Sequence, residues 1–392
     1  MVPASDSTAP RPKALVCITE DWFALSHFQP LLRTLGGLAR EVVVATRPSG
    51  REAELSALGT RVVPFDFQRA SLNPVEQAFT VRRIADLIRR EAPDVVHVIA
   101  MQPMVLASLA LSLVRPRPAI VLHLTGLGFL GISEGMAARA IRPFAMRALR
   151  SALAHPRSWL IAENPEDLAY LGGYGADPGP RHAIVAGAGV DPQEFPALTP
   201  PDAPVPTAAF VGRMIRSKGV PVLIEAYRML RARGVPVGLA LYGRADTDNP
   251  DALDAAWLAA TCKQAGIAWN GHVSDVRTVW RNAAISVLPA ITREGLPRAV
   301  LEAAASARPS IVTDVPGCRH VVRHEVDGLV VPPGDAAALA AAIERLTGDA
   351  ALRARLGAAA RQHVLDHFTT DRVAAGIRNS YASLLALRAE AR

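Results

Sequence analysis

The chain has 392 residues, a net charge of +7 and half of its residues hydrophobic. That length exceeds one ordinary core and suits two domains of α/β size, and the composition excludes a disordered or fibrous chain. Its three cysteines, Cys17, Cys262 and Cys318, are far apart and form no CxxC pair, which excludes a disulfide framework or Cys-based zinc site and fits a reducing cytosol.

In chain order, residues 1–12 lack a signal-like apolar run and read as a disordered lead-in. KALVCIT, from Lys13, predicts a strand. SHFQPLLRTLGGL predicts a helix opened by Ser26 as its cap, and EVVVAT and RVVPFDF predict two more strands. Residues 75–91 predict an amphipathic helix with Val81, Ile84, Leu87 and Ile88 on its apolar side. The apolar run 95–114 is long enough to suggest a membrane span, but His97, Gln102 and Pro103 interrupt it. It reads instead as a buried strand over 94–99, a short loop at 101–103 and a buried helix from 104 to 114. AIVLHLT is the next strand.

Residues 134–157 hold Arg139, Arg142, Arg147, Arg150 and Arg157 against Glu134, with Met136, Ile141, Phe144, Met146, Leu149 and Leu153 between them. This is the pattern of an interfacial basic helix, and equally of a surface helix with a solvated Arg face. Pro143 allows two shorter helices in its place.

Residues 196–206 carry five prolines in eleven positions, and we place the domain linker there. The strand/helix alternation then restarts with TAAFVG, a helix over 218–233, VGLALYG, a helix over 250–265, IAWNG, a short helix over 275–282, AISVLP, a helix over 297–307 and SIVT. Residues 335–389 read as helical throughout. Such alternation predicts parallel sheets covered on both faces, hence two Rossmann-like domains in series. Ligands of such sheets bind beyond the carboxyl ends of the strands, so two sheets facing each other hold their site in a cleft.

Two constellations carry chemistry. VGRMIRSKG (residues 211–219) follows a strand and opens a helix, where free N–H groups favour anions. Gly212 allows close backbone approach, and Arg213 and Lys218 supply an Arg fork and a point charge suited to a diphosphate. Lys218 is one of only three lysines in the chain, although an ordinary solvated basic helix start fits this spacing equally well. REGLPRAVLEAAA (residues 293–305) follows another strand and places Glu294 at its end and Glu302 two helical turns on. Carboxylates accept from sugar hydroxyls, and Gly295 lets a phosphate come close to the backbone. Taken alone, this stretch also fits a helix start with a favourable acid and a later paired Glu.

Together these segments resemble the GT4 glycosyltransferases, the first matching their GR…KG phosphate motif and the second their E-x7-E motif. The resemblance extends to residues 163–171, 187–195 and 313–335 and runs over roughly 13 to 375. The opening TEDWFALSHFQPL and the segment 125–130 look most like the CapM/PglA-like branch, which acts on undecaprenyl-diphosphate-linked sugars.

The resemblance implies an α/β chain of GT-B architecture, two Rossmann-like domains facing across a cleft: an acceptor-binding domain over 13–198, a nucleotide-sugar domain over 204–372, and a helix over 373–392 returning to the first domain. It implies a retaining hexosyltransferase in which Arg213 and Lys218 hold the donor diphosphate, Glu294 contacts the donor sugar and Glu302 the ribose. Gly243 and the loop with His272 and Val273 lie near the uracil, and Gly295, Leu296 and Pro297 shape the phosphate loop. No metal or other cofactor is expected, since Arg and Lys neutralise the developing charge. His27, His123, Thr125 and Gly126 are the acceptor-side candidates. Where many GT4 members carry a His directly before the loop Gly, this chain has Thr125, and His123 shares its face of the strand.

The expected partners are a UDP-sugar, a lipid-linked saccharide acceptor and an anionic membrane surface met through 134–157, at the inner face of the cytoplasmic membrane. A soluble or different lipid acceptor, a UDP-sugar 2-epimerase and a non-catalytic nucleotide-binding partner are the alternatives. The basic balance alone also suits nucleic acid, but the chain is only 5% aromatic and shows no stacking motif or recognition helix, so none is expected.

Overall fold

The computed structural model describes residues 11–67, 73–127, 135–246, 249 and 251–390. It forms two compact units. Gly189–Arg372 is one, and the residues before it join Val373 onward in the other. The first unit is therefore discontinuous in sequence.

In the first unit the elements run β1 (Lys13–Glu20), α1 (Asp21–His27), α2 (Gln29–Leu38), β2 (Glu41–Arg47), α3 (Glu52–Ser56), β3 (Arg61–Pro64), α4 (Pro74–Glu91), β4 (Val95–Ile99), α5 (Met101–Leu111), β5 (Ala119–Leu124), α6 (Met136–Leu153), β6 (Ser158–Ala162), α7 (Pro165–Gly173) and β7 (His182–Ile184). The strands make one parallel sheet in the order β3-β2-β1-β4-β5-β6-β7. The order reverses between β1 and β4, the place where doubly wound sheets open toward ligands. Alternate residues of each strand feed two cores. Leu15 and Cys17 join Ile84, Leu106 and Leu149 on one face, while Val16 and Ile18 join Leu31 and Leu35 on the other. Val373, Ile377, Tyr381 and Leu384 of the C-terminal helix complete this second core.

In the second unit the elements are β8 (Thr207–Val211), α8 (Val220–Ala232), β9 (Gly238–Tyr242), α9 (Ala255–Ala265), β10 (Ala268–Trp269), α10 (Arg277–Asn282), β11 (Ile285–Leu288), α11 (Arg298–Ala305), β12 (Ser310–Thr313), α12 (Cys318–Val321), β13 (Gly328–Val331), α13 (Ala336–Gly348) and α14 (Ala350–His367). Its six strands are parallel in the order β10-β9-β8-β11-β12-β13, and the order reverses between β8 and β11. The last helix, α15 (Thr370–Glu390), crosses from this unit to the first.

Four local readings change. The helix expected from Ser26 is two helices: Ser26 lies inside α1, Phe28 breaks the run with φ −123° and ψ 14°, and Pro30 sits in the first turn of α2. The loop expected at 101–103 is already helix. Pro103 is tolerated there because the first N–H groups of a helix have no partner inside it. Pro143 does not split α6, which is continuous. The Pro-rich stretch lies inside the second unit, because the units divide earlier, after Ala188. The buried Arg308 guanidinium fixes it, donating to the carbonyls of Leu198 (3.1 Å), Thr199 (2.7 Å) and Trp280 (2.9 Å).

The structure also reassigns half of the α6 apolar stripe. Met146, Leu149 and Leu153 are core residues of the first unit, and Met136 and Phe144 are the large apolar side chains that α6 leaves exposed. No described helix is long and apolar enough to cross a membrane. Residues 1–10 of the lead-in, Glu134 and positions 128–130 lie outside the described residues.

Candidate functional site

In the second unit the candidate donor residues gather at the carboxyl ends of the strands. Arg213 follows β8, and its guanidinium donates to Asp246, in the segment after β9, at 2.7 Å. Residues 216–218 form a 3-10 turn that ends on Gly219, just before α8. Gly219 has φ +74°, and a Cβ there would lie 1.7 Å from the carbonyl oxygen of Pro289. Only glycine lets the turn press onto the end of β11 in this way. This seating carries Lys218 to Glu294, whose carboxylate accepts from Lys218 Nζ at 2.8 Å, with both side chains 17% exposed. Lys218 comes after β8 and Glu294 after β11, so the pair spans the point where the strand order reverses.

The neighbouring loops are tied to this frame. Gly243 has φ +143°, and a Cβ on it would lie 1.7 Å from the carbonyl oxygen of Gly212, so the backbones after β8 and β9 touch directly. Its N–H donates to Gly271 at 2.6 Å, and its carbonyl accepts from the Trp269 indole at 2.9 Å. His272 is exposed and Val273 half-buried in that same loop. Glu294 is held through its own N–H, which donates to the Pro316 carbonyl at 3.1 Å. Gly295 is half-buried, Leu296 is buried, and Pro297 caps α11 in extended conformation.

Glu302 sits in the second turn of α11, 5% exposed, and pairs with Arg298 one turn earlier at 2.7 Å. Burial pushes its carboxyl up to about 7. Arg298 pulls the other way, and the negative charge of Glu194 adds to the rise. The structure thus gathers Gly212, Arg213, Lys218, Gly243, His272, Val273, Glu294, Gly295, Leu296, Pro297 and Glu302 at one end of one sheet. It adds Asp246, Arg298 and Glu194, which sequence reading missed. Arg298 alone had a local signal, its i,i+4 spacing from Glu302.

The first unit has its own cluster. His27 ends α1, with Ser26 Oγ 2.7 Å from its Nδ1 and the Phe23 ring 4.8 Å away, centroid to centroid. Thr125 and Gly126 are half-buried directly after β5, and Gly126 takes φ +122°. His123 is deeper, 1% exposed, with Phe28 edge-on at 5.5 Å. Its Nδ1 lies 3.1 Å from His97 Nε2, and His97 Nδ1 lies 3.0 Å from the hydroxyl of Tyr381. Burial holds His123 down to about 3 and His97 well below the ordinary histidine range, so both rings are neutral.

Chemically, the second unit offers two cations held by exchangeable carboxylate partners at a strand switch point, beside a helix start and a buried acid. That set suits a diphosphate with hydroxyl-bearing groups on either side.

The family described as "Glycosyl transferases group 1" matches residues 205–349, and "Glycosyl transferase 4-like" matches residues 16–154. The capsular polysaccharide biosynthesis glycosyltransferase CapM of Staphylococcus aureus is 29% identical over 176 residues, 45% of this chain and 46% of that one. The N,N'-diacetylbacillosaminyl-diphospho-undecaprenol alpha-1,3-N-acetylgalactosaminyltransferase of Campylobacter jejuni is 24% identical over 357 residues, 88% of this chain and 92% of its own length. Anabaena Alr3699/HepE, solved in complex with UDP-glucose, shares the fold with a TM-score of 0.75 at 17% identity, covering 95% of this chain and all of that one. The chain belongs to the GT4 glycosyltransferases of the GT-B fold.

Proposed function

We propose that this protein is a retaining glycosyltransferase that moves a sugar, of the N-acetylhexosamine class, from a UDP-sugar to a polyprenyl-diphosphate-linked saccharide during surface polysaccharide or glycan assembly. The observation that carries it is the Lys218–Glu294 pair spanning the switch point, with Arg213 beside it. The acceptor class rests on the Campylobacter jejuni relative, which matches this chain over nearly its full length and is named for transfer to a diphospho-undecaprenol-linked sugar.

In this reading the donor diphosphate takes the place of the carboxylates now facing Arg213 and Lys218. Glu294, released from Lys218, accepts from donor-sugar hydroxyls, and ionised Glu302 accepts from the ribose. The bond between the anomeric carbon and the phosphate oxygen breaks. The acceptor hydroxyl bonds to that carbon on the same face, and its proton passes to the leaving phosphate. Arg213 and Lys218 neutralise the charge that collects on UDP, with no metal in the scheme.

The lipid-linked acceptor calls for a membrane-facing surface at the inner face of the cytoplasmic membrane. On α6, Met136 (89% exposed) and Phe144 (75% exposed) stand among the exposed Arg139, Arg147 and Arg150. Each basic residue near an anionic leaflet contributes about 1 kcal/mol.

The test is UDP release from UDP-GlcNAc, UDP-GalNAc, UDP-glucose and UDP-galactose, each with and without a polyprenyl-diphosphate-linked amino sugar. Release that needs one donor and the lipid acceptor together supports the reading. Release with a water-soluble saccharide in place of the lipid moves the acceptor class. Conversion of the donor to its epimer, with no transfer, overturns the transferase assignment.

A further inference from the structure

The first unit buries Tyr381, His97 and His123 as one hydrogen-bonded array. Both rings are neutral, so each carries one N–H and one lone pair. The Tyr381 hydroxyl is completely buried, and His97 Nδ1 is its hydrogen-bond partner. His123 Nε2 is buried with no partner.

Two proton arrangements keep both hydrogen bonds. In the first, Tyr381 donates to His97 Nδ1, His97 Nε2–H donates to His123 Nδ1, and His123 carries its proton on Nε2. One donor is then left over. In the second, every bond runs the other way: His123 Nδ1–H donates to His97, and His97 Nδ1–H donates to Tyr381. This leaves the Tyr381 hydroxyl proton buried without an acceptor, and the His123 Nε2 lone pair unmet as well. A buried unsatisfied polar group costs about 1–3 kcal/mol, so the first arrangement wins by one such group.

We propose that Tyr381, on α15, is a positioning residue that fixes both histidines as Nε2–H tautomers, so that His123 presents a hydrogen-bond donor and no lone pair near the carboxyl end of β5. Its partner is an acceptor oxygen of the bound saccharide, a hydroxyl or a phosphate. With its proton on Nε2, His123 can donate to the acceptor there and cannot deprotonate it. The tautomers follow from the array alone, whereas the role toward substrate rests on the reading of this unit as the acceptor side.

The experiment is a long-range 1H–15N correlation on the full chain with 15N-labelled histidine, the two rings being assigned by comparison with His97→Gln and His123→Gln. The expected wild-type spectrum shows Nε2–H with unprotonated Nδ1 on both rings. In Tyr381→Phe the two directions leave equal numbers of unmet groups, so the rings become a mixture of tautomers while the other histidine signals stay in place. A protonated Nδ1 on His123 in the wild type overturns the proposal, as does an unchanged tautomer in a folded Tyr381→Phe. The wild-type spectrum decides the tautomer question even if that variant does not fold. In the transfer assay, Tyr381→Phe should raise the acceptor KM several-fold and leave the UDP-sugar KM unchanged. Equal shifts in both would reduce Tyr381 to a packing residue. Absence of transfer with every acceptor would sink the proposed function and leave the tautomer result standing.

Discussion

Glu302→Gln separates the electrostatics of the donor side from its packing. Burial pushes the Glu302 carboxyl up to about 7, from about 4.5 for a solvated glutamate. The raised pKa means that the fold favours the protonated acid. Its contribution to stability is fully present below about pH 4.5 and is lost as pH rises through about 7. Between about pH 5 and about pH 8, the linkage of those two pKa values removes about 2 to 3 kcal/mol from the wild type. The attraction of Arg298 is already contained in the folded value, so it is not counted again. A glutamine of nearly the same shape has nothing to ionise and escapes this loss. Urea unfolding of both proteins at the two pH values isolates the difference, because every other titrating group is shared. The variant should be close to the wild type near pH 5 and gain on it by about 2 to 3 kcal/mol near pH 8. Parallel pH profiles for the two proteins would refute the raised carboxyl. A variant that instead loses stability near pH 8 would show that the ion pair with Arg298 outweighs burial.

Other outcomes follow from the same geometry. UDP affinity should fall by up to about tenfold as pH drops from about 8 to about 6, because the acid must ionise to accept ribose hydroxyls, and calorimetry should find that slope reduced in Glu302→Gln. Lys218→Ala and Arg213→Ala should each lower turnover by about a hundredfold or more, in line with roughly 2.7–4 kcal/mol for one preorganised donor; a loss under tenfold would remove that role. Gly219→Ala should weaken UDP binding and destabilise the second unit, since its Cβ meets the Pro289 carbonyl at 1.7 Å; unchanged UDP affinity would separate that turn from the site. Phe144→Glu should reduce sedimentation with anionic vesicles while leaving UDP binding unaltered, and equal sedimentation would free α6 of a membrane role.

Much of the architecture was readable because it rests on short-range physics. Apolar strands such as those at Val95 and Ala119 are continuous because both faces of the sheet are covered. The donor residues were readable because a strand end and a helix start fix their spacing within single segments, as in residues 211–219 and 293–305. What stayed hidden joins distant positions. Asp246 lies 33 residues from the Arg213 it faces, and Tyr381 lies 284 residues from His97. Local signals misled where one residue type serves two purposes. Prolines at 196–206 suggested a linker, yet their segment is fastened by Arg308, and the apolar stripe of α6 suggested a lipid face but half of it is core. Ser26 resembled a cap, whereas Pro30 marks the true start of α2.

The first unit borrows its last piece of core from the far end of the chain. Val373, Ile377, Tyr381 and Leu384 are separated from the rest of that core by the whole of the second unit. During synthesis, the second unit has all of its own residues once Arg372 has emerged, while the first, begun earlier, still lacks a helix. The order of completion is therefore the reverse of the order of translation. A message cut short after Arg372 would yield a finished second unit tethered to a first unit whose apolar floor is open to chaperones and proteases.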